Sequence, residues 1–140
     1  MSMYERTGWR DTERISKRHR MFGYNAPAVD LDFPLVEYDR AEVKALVEYK
    51  HEEAAPVFLN NPSIRALADL GTKAGIPAFV VRYKDNFSKY KVTAINELAV
   101  SILHKECKVM FEADYIRFLY QLRGYNDVPE RVIRNINKTV

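Results

Sequence analysis

The chain has 140 residues, of which 47% are hydrophobic and 29% are charged, and its formal net charge is +3. These proportions are ordinary for a soluble globular protein. A membrane-spanning class is excluded because no apolar run approaches the roughly 20 residues that cross a bilayer. Cys107 is the single cysteine, so an internal disulfide is excluded. The first residues lack the apolar core of a signal peptide, and we expect one cytoplasmic domain over residues 1–140.

The charges are unevenly distributed along the chain. Residues 1–20 carry six Lys/Arg against three Asp/Glu, and residues 117–140 carry five against two, so each end has a charge of +3. The residues between carry eleven Lys/Arg against fourteen Asp/Glu, which gives −3. Basic ends around an acidic centre suit a metal-dependent enzyme that acts on nucleic acid. A solvated surface with a chance asymmetry is the alternative interpretation.

The first predicted helix begins near Asp11 or Thr12, since either residue can cap it, and ends at Gly23. Its polar side is basic and is a candidate surface for binding DNA phosphates. A solubilising face is an equal alternative. The basic residues are Arg14, Lys17, Arg18 and Arg20.

Residues 28–53 predict an antiparallel hairpin, in which two β-prone runs are joined by a polar turn. Asp30 and Asp32 share one face of the first strand, and Glu48 and Lys50 share one face of the second, because side chains alternate along a strand. If the two faces coincide, carboxylates that can bind a hard divalent cation lie beside a lysine. That lysine can orient a water molecule or neutralise developing negative charge. Solvated strand ends are the alternative.

Three neighbouring residues are not assigned to the predicted site, although one of them is kept in reserve. Tyr49 and His51 point to the opposite face of the second strand by alternation, and we interpret His51 as structural. Glu37 falls on the wrong face of a regular first strand. A bulge at Pro34 would turn it toward the site, so Glu37 is a reserve ligand.

The remainder of the chain predicts a crossover and further helices. Asn61 and Pro62 begin a helix that ends at Gly75, and residues 77–83 form a strand parallel to the second hairpin strand. Then follow a strand over residues 90–95, an ambiguous segment over 96–104, a helix ending at Gly124 and a short helix over 129–137. The predicted fold class is α/β, with a mixed sheet of about four strands flanked by helices.

An acid on one strand followed by Glu-x-Lys on the next, here Asp32 (or Asp30) and Glu48-Tyr49-Lys50, resembles the PD-(D/E)xK nuclease superfamily. The order of elements over residues 12–83 is similar to that of its small members, the Holliday-junction resolvases and the virus-type replication-repair nuclease domains. Glu13 takes the place of the acid on their first helix. The resemblance implies a restriction-endonuclease-like core and a DNA endonuclease of replication, repair or recombination.

The resemblance also implies a role for each residue. Asp32 and Glu48 are expected to bind Mg²⁺ or Mn²⁺, with Asp30 as the competing ligand. Lys50 is expected to position the attacking water or stabilise the transition state. Glu13 is expected in the catalytic set, or alternatively pairs with a lysine four residues later. The resolvase likeness further implies DNA as partner and a homodimer whose two sites cut two strands.

Two other functions stay open. No proline precedes either aspartate, and Pro34 interrupts the first strand. The chain can therefore be a catalytically inactive protein of this fold that binds nucleic acid or a protein partner. Its acidic centre also suits a small interaction protein with a basic partner. The sequence lacks a Gly-rich phosphate loop and zinc-ligand spacing, which excludes a nucleoside triphosphatase and a zinc enzyme.

Overall fold

The computed structural model describes residues 3–5, 8–10, 14–23, 33–37, 40–56, 59–124 and 127–139. Its internal contacts divide the chain into two units, Met1–Asp30 and Leu31–Val140. The expectation that residues 1–140 form one domain stays a prediction.

Among its described residues, the first unit contains two short strands and one helix. Strands β1 (Met3–Glu5) and β2 (Gly8–Arg10) pair antiparallel and are not predicted by the sequence pattern. Helix α1 (Arg14–Arg20) lies where the first helix is predicted. Gly23 follows it with φ +93°, in the left-handed region that favours glycine. The predicted caps, Asp11 and Thr12, lie outside the described residues.

The second unit is built on a five-stranded mixed sheet. Its strands lie in chain order: β3 (Phe33–Glu37), β4 (Glu42–His51), β5 (Ala78–Tyr83), β6 (Lys89–Ala94) and β7 (Cys107–Phe111). β4 and β5 are parallel, and the other neighbours are antiparallel. The predicted α/β class with a mixed sheet is confirmed. The number of strands is five rather than four, because β7 occupies residues 107–110, for which the sequence predicts no element, and Phe111, which the sequence predicts in the following helix.

Four helices accompany this sheet within the part of the chain that the structure describes. They are α2 (Pro62–Ala74), α3 (Glu97–Leu103), α4 (Glu112–Leu122) and α5 (Glu130–Thr139). α2 connects the parallel strands β4 and β5. As predicted, Asn61 caps it through a hydrogen bond from the Ser63 amide, and Gly75 ends it at φ 72°. No helix within the described segments is long and apolar enough to cross a membrane.

The two faces of the sheet are packed differently. On one face, which we call the α3/α4 face, Val47 and Phe79 form the main core with residues of α3 and α4. On the other, which we call the α2 face, Leu46 and Ala78 pack against Leu67 of α2. Since adjacent residues of a strand point to opposite faces, β4 contributes to both clusters.

Gly71 explains how closely α2 packs. A Cβ atom at this buried glycine would lie 2.8 Å from the Asn96 side-chain nitrogen and 3.0 Å from the Ile76 carbonyl oxygen. Asn96 ties the elements together, because its Nδ2 donates to the Ile76 carbonyl and its Oδ1 accepts from the amides of Ala78 and Ala99. The position therefore requires a residue without a side chain.

Candidate active site on strand β4

Glu48 and Lys50 lie near the C-terminal end of β4 and share the α2 face with Leu46. Their side chains form an ion pair, with 3.4 Å between Glu48 Oε1 and Lys50 Nζ. Tyr49, between them in the chain, packs against the core of the α3/α4 face, where its ring contacts Tyr115. The predicted separation of these three residues between two faces is confirmed.

The Glu48–Lys50 pair is partly sheltered from water. The Glu48 side chain is 18% exposed and the Lys50 side chain 36% exposed. Partial burial strengthens the electrostatic effect of each charge, while enough surface remains for a ligand to reach both. A carboxylate oxygen beside an ammonium group can bind a hard cation and a negatively charged oxygen next to each other.

The neighbouring strands extend this polar surface. Val80 of β5 is the Cα partner of Glu48, and Arg82 is the partner of Lys50. One strand further, Thr93 of β6 is opposite Val80, and Lys91 is opposite Arg82. These four residues line an open depression of about 260 Å³, together with Pro56 and Leu59. The ion pair therefore adjoins a concave surface.

Arg82 fixes the loop that leaves β4. Its Nη1 donates to the carbonyl oxygens of His51, Glu52 and Ala54 at 2.9–3.2 Å, and its Nη2 donates to that of Ala55 at 3.1 Å. A planar guanidinium with several donors suits such a cluster of carbonyl groups, whereas a lysine would not satisfy it. Arg82 thereby places a fixed positive charge next to Lys50.

The described residues hold only part of the predicted metal site. Glu48 supplies an oxygen ligand of the kind that Mg²⁺ prefers. No group of three or more His, Cys, Asp or Glu side chains in the described ranges could hold an ion. Asp30, Asp32 and Glu13 lie outside the described residues. The first described residue after Asp32 is Phe33, and its Cα partner is Val47, the residue before Glu48.

Glu37 does not belong to this site. It is opposite Glu42 at the turn end of the hairpin, whereas Phe33 is opposite Val47. Four residues of strand separate Glu37 from Phe33, which is roughly 13 Å. An irregularity in pairing does follow Pro34, between Leu35 and Val36, but the extra residue is Lys44 on β4. The β3 strand therefore keeps its alternation, and the irregularity does not turn Glu37 toward the site.

Glu37 instead stabilises the hairpin turn. Its buried carboxylate accepts a hydrogen bond of 2.8 Å from the Arg40 amide. His51 is structural in a similar way. Its ring contacts Tyr83, and its nitrogens bond to the Asp85 carboxylate and the Glu53 amide.

Buried tyrosines support β4 from the α3/α4 face. The hydroxyl groups of Tyr49 and Tyr115 are 2.6 Å apart, and the rings of Tyr90 and Tyr115 stack with centroids at 4.4 Å. The Tyr90 hydroxyl donates to the Glu112 carboxylate. Burial is the main cause that raises the pKa of all three tyrosines. They stay protonated and hold the backbone that carries Glu48 and Lys50.

The predicted DNA-binding residues lie on α1, in the first unit. Arg14, Lys17, Arg18 and Arg20 are all exposed there. Exposure is compatible with binding phosphate and also with a solubilising face. Their role in binding DNA stays a prediction.

Arg82, Lys91 and Thr93 are the polar residues that sequence reasoning does not assign to the site. The sequence nevertheless contains a pattern that could have identified each of these residues. Arg82 interrupts an apolar strand, and Lys91 and Thr93 alternate with buried Tyr90 and Val92.

Comparison of the chain with protein-family models, curated proteins and solved structures finds no match.

Proposed function

We propose that this protein is a metal-dependent DNA endonuclease that hydrolyses phosphodiester bonds. The observation that supports this best is the Glu48–Lys50 pair, whose Oε1 and Nζ atoms are 3.4 Å apart beside an open depression. The pair lies at the end of an antiparallel hairpin, and its strand runs parallel to the strand that follows α2. This arrangement agrees with the element order on which the nuclease resemblance rests.

In this proposal Asp32 and Glu48 hold Mg²⁺ or Mn²⁺, with Asp30 as the competing ligand. Carboxylate oxygens suit both ions. Support comes from the pairing of Phe33 with Val47, since these residues adjoin Asp32 and Glu48 in the chain. When bound, the metal polarises the scissile phosphate and lowers the pKa of a coordinated water.

Lys50 supplies the positive charge of the proposed site. Its ammonium group donates hydrogen bonds to the attacking water or to the phosphate oxygens, on which negative charge develops. Glu48 orients this lysine through their ion pair. Tyr49 plays no part in the chemistry because it points into the core of the opposite face.

DNA backbone binding is proposed for Arg14, Lys17, Arg18 and Arg20, and a catalytic role for Glu13. A homodimer with two such sites would cut two strands, as the likeness to resolvases suggests. Branched or replication and repair DNA is the proposed substrate. The expected effect of the basic helix is non-specific, because contacts to phosphates carry no sequence information.

One observation favours the alternative of an inactive protein of this fold. Lys50 already neutralises Glu48, and the described residues contain no group of three acids around it. An ion pair of this kind can simply satisfy two partly buried charges. In that case the protein binds nucleic acid or a protein partner without cleaving it.

Nicking of a supercoiled plasmid, with Mg²⁺ or Mn²⁺, separates the two functions. We expect Glu48→Gln to abolish metal binding and cleavage together. Lys50→Ala should keep the metal and slow cleavage by about 10² or more. Both variants should stay folded and bind DNA in EDTA, since neither side chain belongs to the apolar core. Glu106→Gln and Lys105→Ala, at exposed positions of the α3–β7 turn, are matched controls and should cleave like wild type.

The results of the nicking assay decide between the nuclease and the inactive binding protein. A wild-type protein that binds DNA but never nicks a substrate with either metal is the inactive binding module. Cleavage that survives in Glu48→Gln places the active site elsewhere and refutes the role of the hairpin.

A further inference from the structure

The depression beside Glu48 and Lys50 has no role in the chemistry proposed above. Its walls are Pro56, Leu59, Val80, Arg82, Lys91 and Thr93. Val80 and Arg82 are the direct strand partners of Glu48 and Lys50, so the depression begins where the ion pair ends. Its volume of about 260 Å³ lies below the roughly 300–1,000 Å³ of pockets that enclose whole small molecules. It therefore suits one small group of a longer ligand.

The lining combines two positive charges with a small apolar wall. Lys91 is exposed and has no ion-pair partner among the described residues. Arg82 adds a charge that is fixed by four backbone carbonyl groups. Among the described residues that line the depression no side chain is acidic, whereas Pro56 and Leu59 provide apolar surface. The chemistry favours an anionic group attached to a partly apolar body, as in a sugar phosphate.

We infer that this depression receives a backbone phosphate of the DNA strand being cut, that Lys91 binds the phosphate, and that Leu59 and Pro56 contact its sugar. The inference rests on the proposed function, because it takes Glu48 and Lys50 as the point of cleavage. Lys50 and Lys91 are two strands apart in register, which is roughly 10 Å. The phosphate site therefore lies close to the cleaved bond, on the same DNA strand.

The test is the salt dependence of DNA binding in EDTA, where cleavage cannot interfere. The probe is a fluorescently labelled 20-base-pair duplex, titrated with wild type, Lys91→Gln, Lys91→Arg and Lys108→Gln. Lys108 is a matched control because it is exposed on the edge strand β7, opposite Val92, and points to the other face of the sheet from Lys91. Both Gln variants remove one positive charge, and circular dichroism verifies that each is folded.

We expect Lys91→Gln to weaken binding by about two- to tenfold. It should also flatten the plot of log K against log salt by roughly 0.9, the value for one lost duplex phosphate contact. Lys91→Arg should keep the wild-type slope, because it keeps the charge. Lys108→Gln should keep it as well.

Two results would overturn the inference: an unchanged slope in Lys91→Gln, or an equal change in Lys108→Gln. The unchanged slope can also come with an altered oligomeric state of Lys91→Gln in sedimentation. That combination would assign the depression to contact between copies of this chain. The result of this test does not depend on whether the protein cleaves DNA, so the phosphate site and the nuclease activity can be refuted separately. Cleavage with an unaffected Lys91→Gln slope refutes the phosphate site alone. A flattened slope without wild-type nicking supports the phosphate site and refutes only the chemistry.

Discussion

Strand β4 contributes different kinds of side chain to the two faces of the sheet. On the α3/α4 face, β4 contributes Ala45, Val47 and Tyr49 to the main core, where buried aromatic rings stack and tyrosine hydroxyls find partners. On the α2 face, the apolar contact of β4 ends at Leu46, and charged Glu48 and Lys50 follow. We infer that packing on the α3/α4 face determines stability, whereas the α2 face can carry the charged side chains of the proposed site.

The largest effect should come from breaking the core on the α3/α4 face. Phe79 is fully buried and its ring meets Phe118 at 5.3 Å. Phe79→Ala should lower the free energy of unfolding by about 3–5 kcal/mol, because it removes apolar contacts and leaves a cavity. Phe111→Ala is the matched control on the α2 face, where Phe111 is 65% exposed. It should change stability by less than about 0.5 kcal/mol in urea unfolding. Equal losses would contradict the contrast between the faces.

The next effect concerns the close approach of α2 to its neighbours at Gly71. Alanine in place of a helix-interior glycine normally adds about 1 kcal/mol of stability. In Gly71→Ala the new methyl group meets a backbone carbonyl and the bonded Asn96 amide, which cannot easily retreat. We expect a net loss of about 1–2 kcal/mol in urea unfolding. Thr72→Ala, at the exposed neighbouring position, should not destabilise the protein. A stabilised Gly71→Ala would show that α2 can move away from the sheet.

The sequence predicts the local features of this fold better than its long-range features. Asn61, Pro62 and Gly75 bound α2 because capping signals are local, and alternation alone correctly separates Tyr49 from its two charged neighbours. β7 escapes prediction because it has no clear alternation and runs into α4 without a turn. The depression cannot be predicted from the sequence for a different reason. Arg82 and Lys91 approach Lys50 only through the register of three strands, and that register depends on long-range pairing that no short segment specifies.

A smaller effect should appear at high pH. Burial, and then the neighbouring Tyr49, raise the pKa of the Tyr115 hydroxyl above its ordinary value of 10.0. The unfolded chain therefore loses this proton above about pH 10 while the folded protein keeps it. Stability is fully present below pH 10 and falls above it, by up to about 1.4 kcal/mol per pH unit for one such group. In Tyr115→Phe the fall between pH 9 and pH 11, measured by urea unfolding, should be smaller than in wild type. An identical fall would show that Tyr115 ionises normally in the folded protein.

The smallest effect is the sharpest test, because Tyr49 lies between the two proposed active-site residues in the chain. Tyr49→Phe keeps the ring in the core and removes the hydroxyl that bonds to Tyr115 at 2.6 Å. It should cost about 0.5–1.5 kcal/mol of unfolding free energy, the usual worth of one such hydrogen bond. DNA binding and cleavage should stay at wild-type levels, since the hydroxyl points away from the α2 face. Lys50→Ala should show the reverse, with stability nearly unchanged and cleavage slowed by about 10² or more. If Tyr49→Phe slows cleavage as much as Lys50→Ala does while the protein stays folded, the two faces are not independent, and the core packing behind β4 must itself set the position of Glu48 and Lys50.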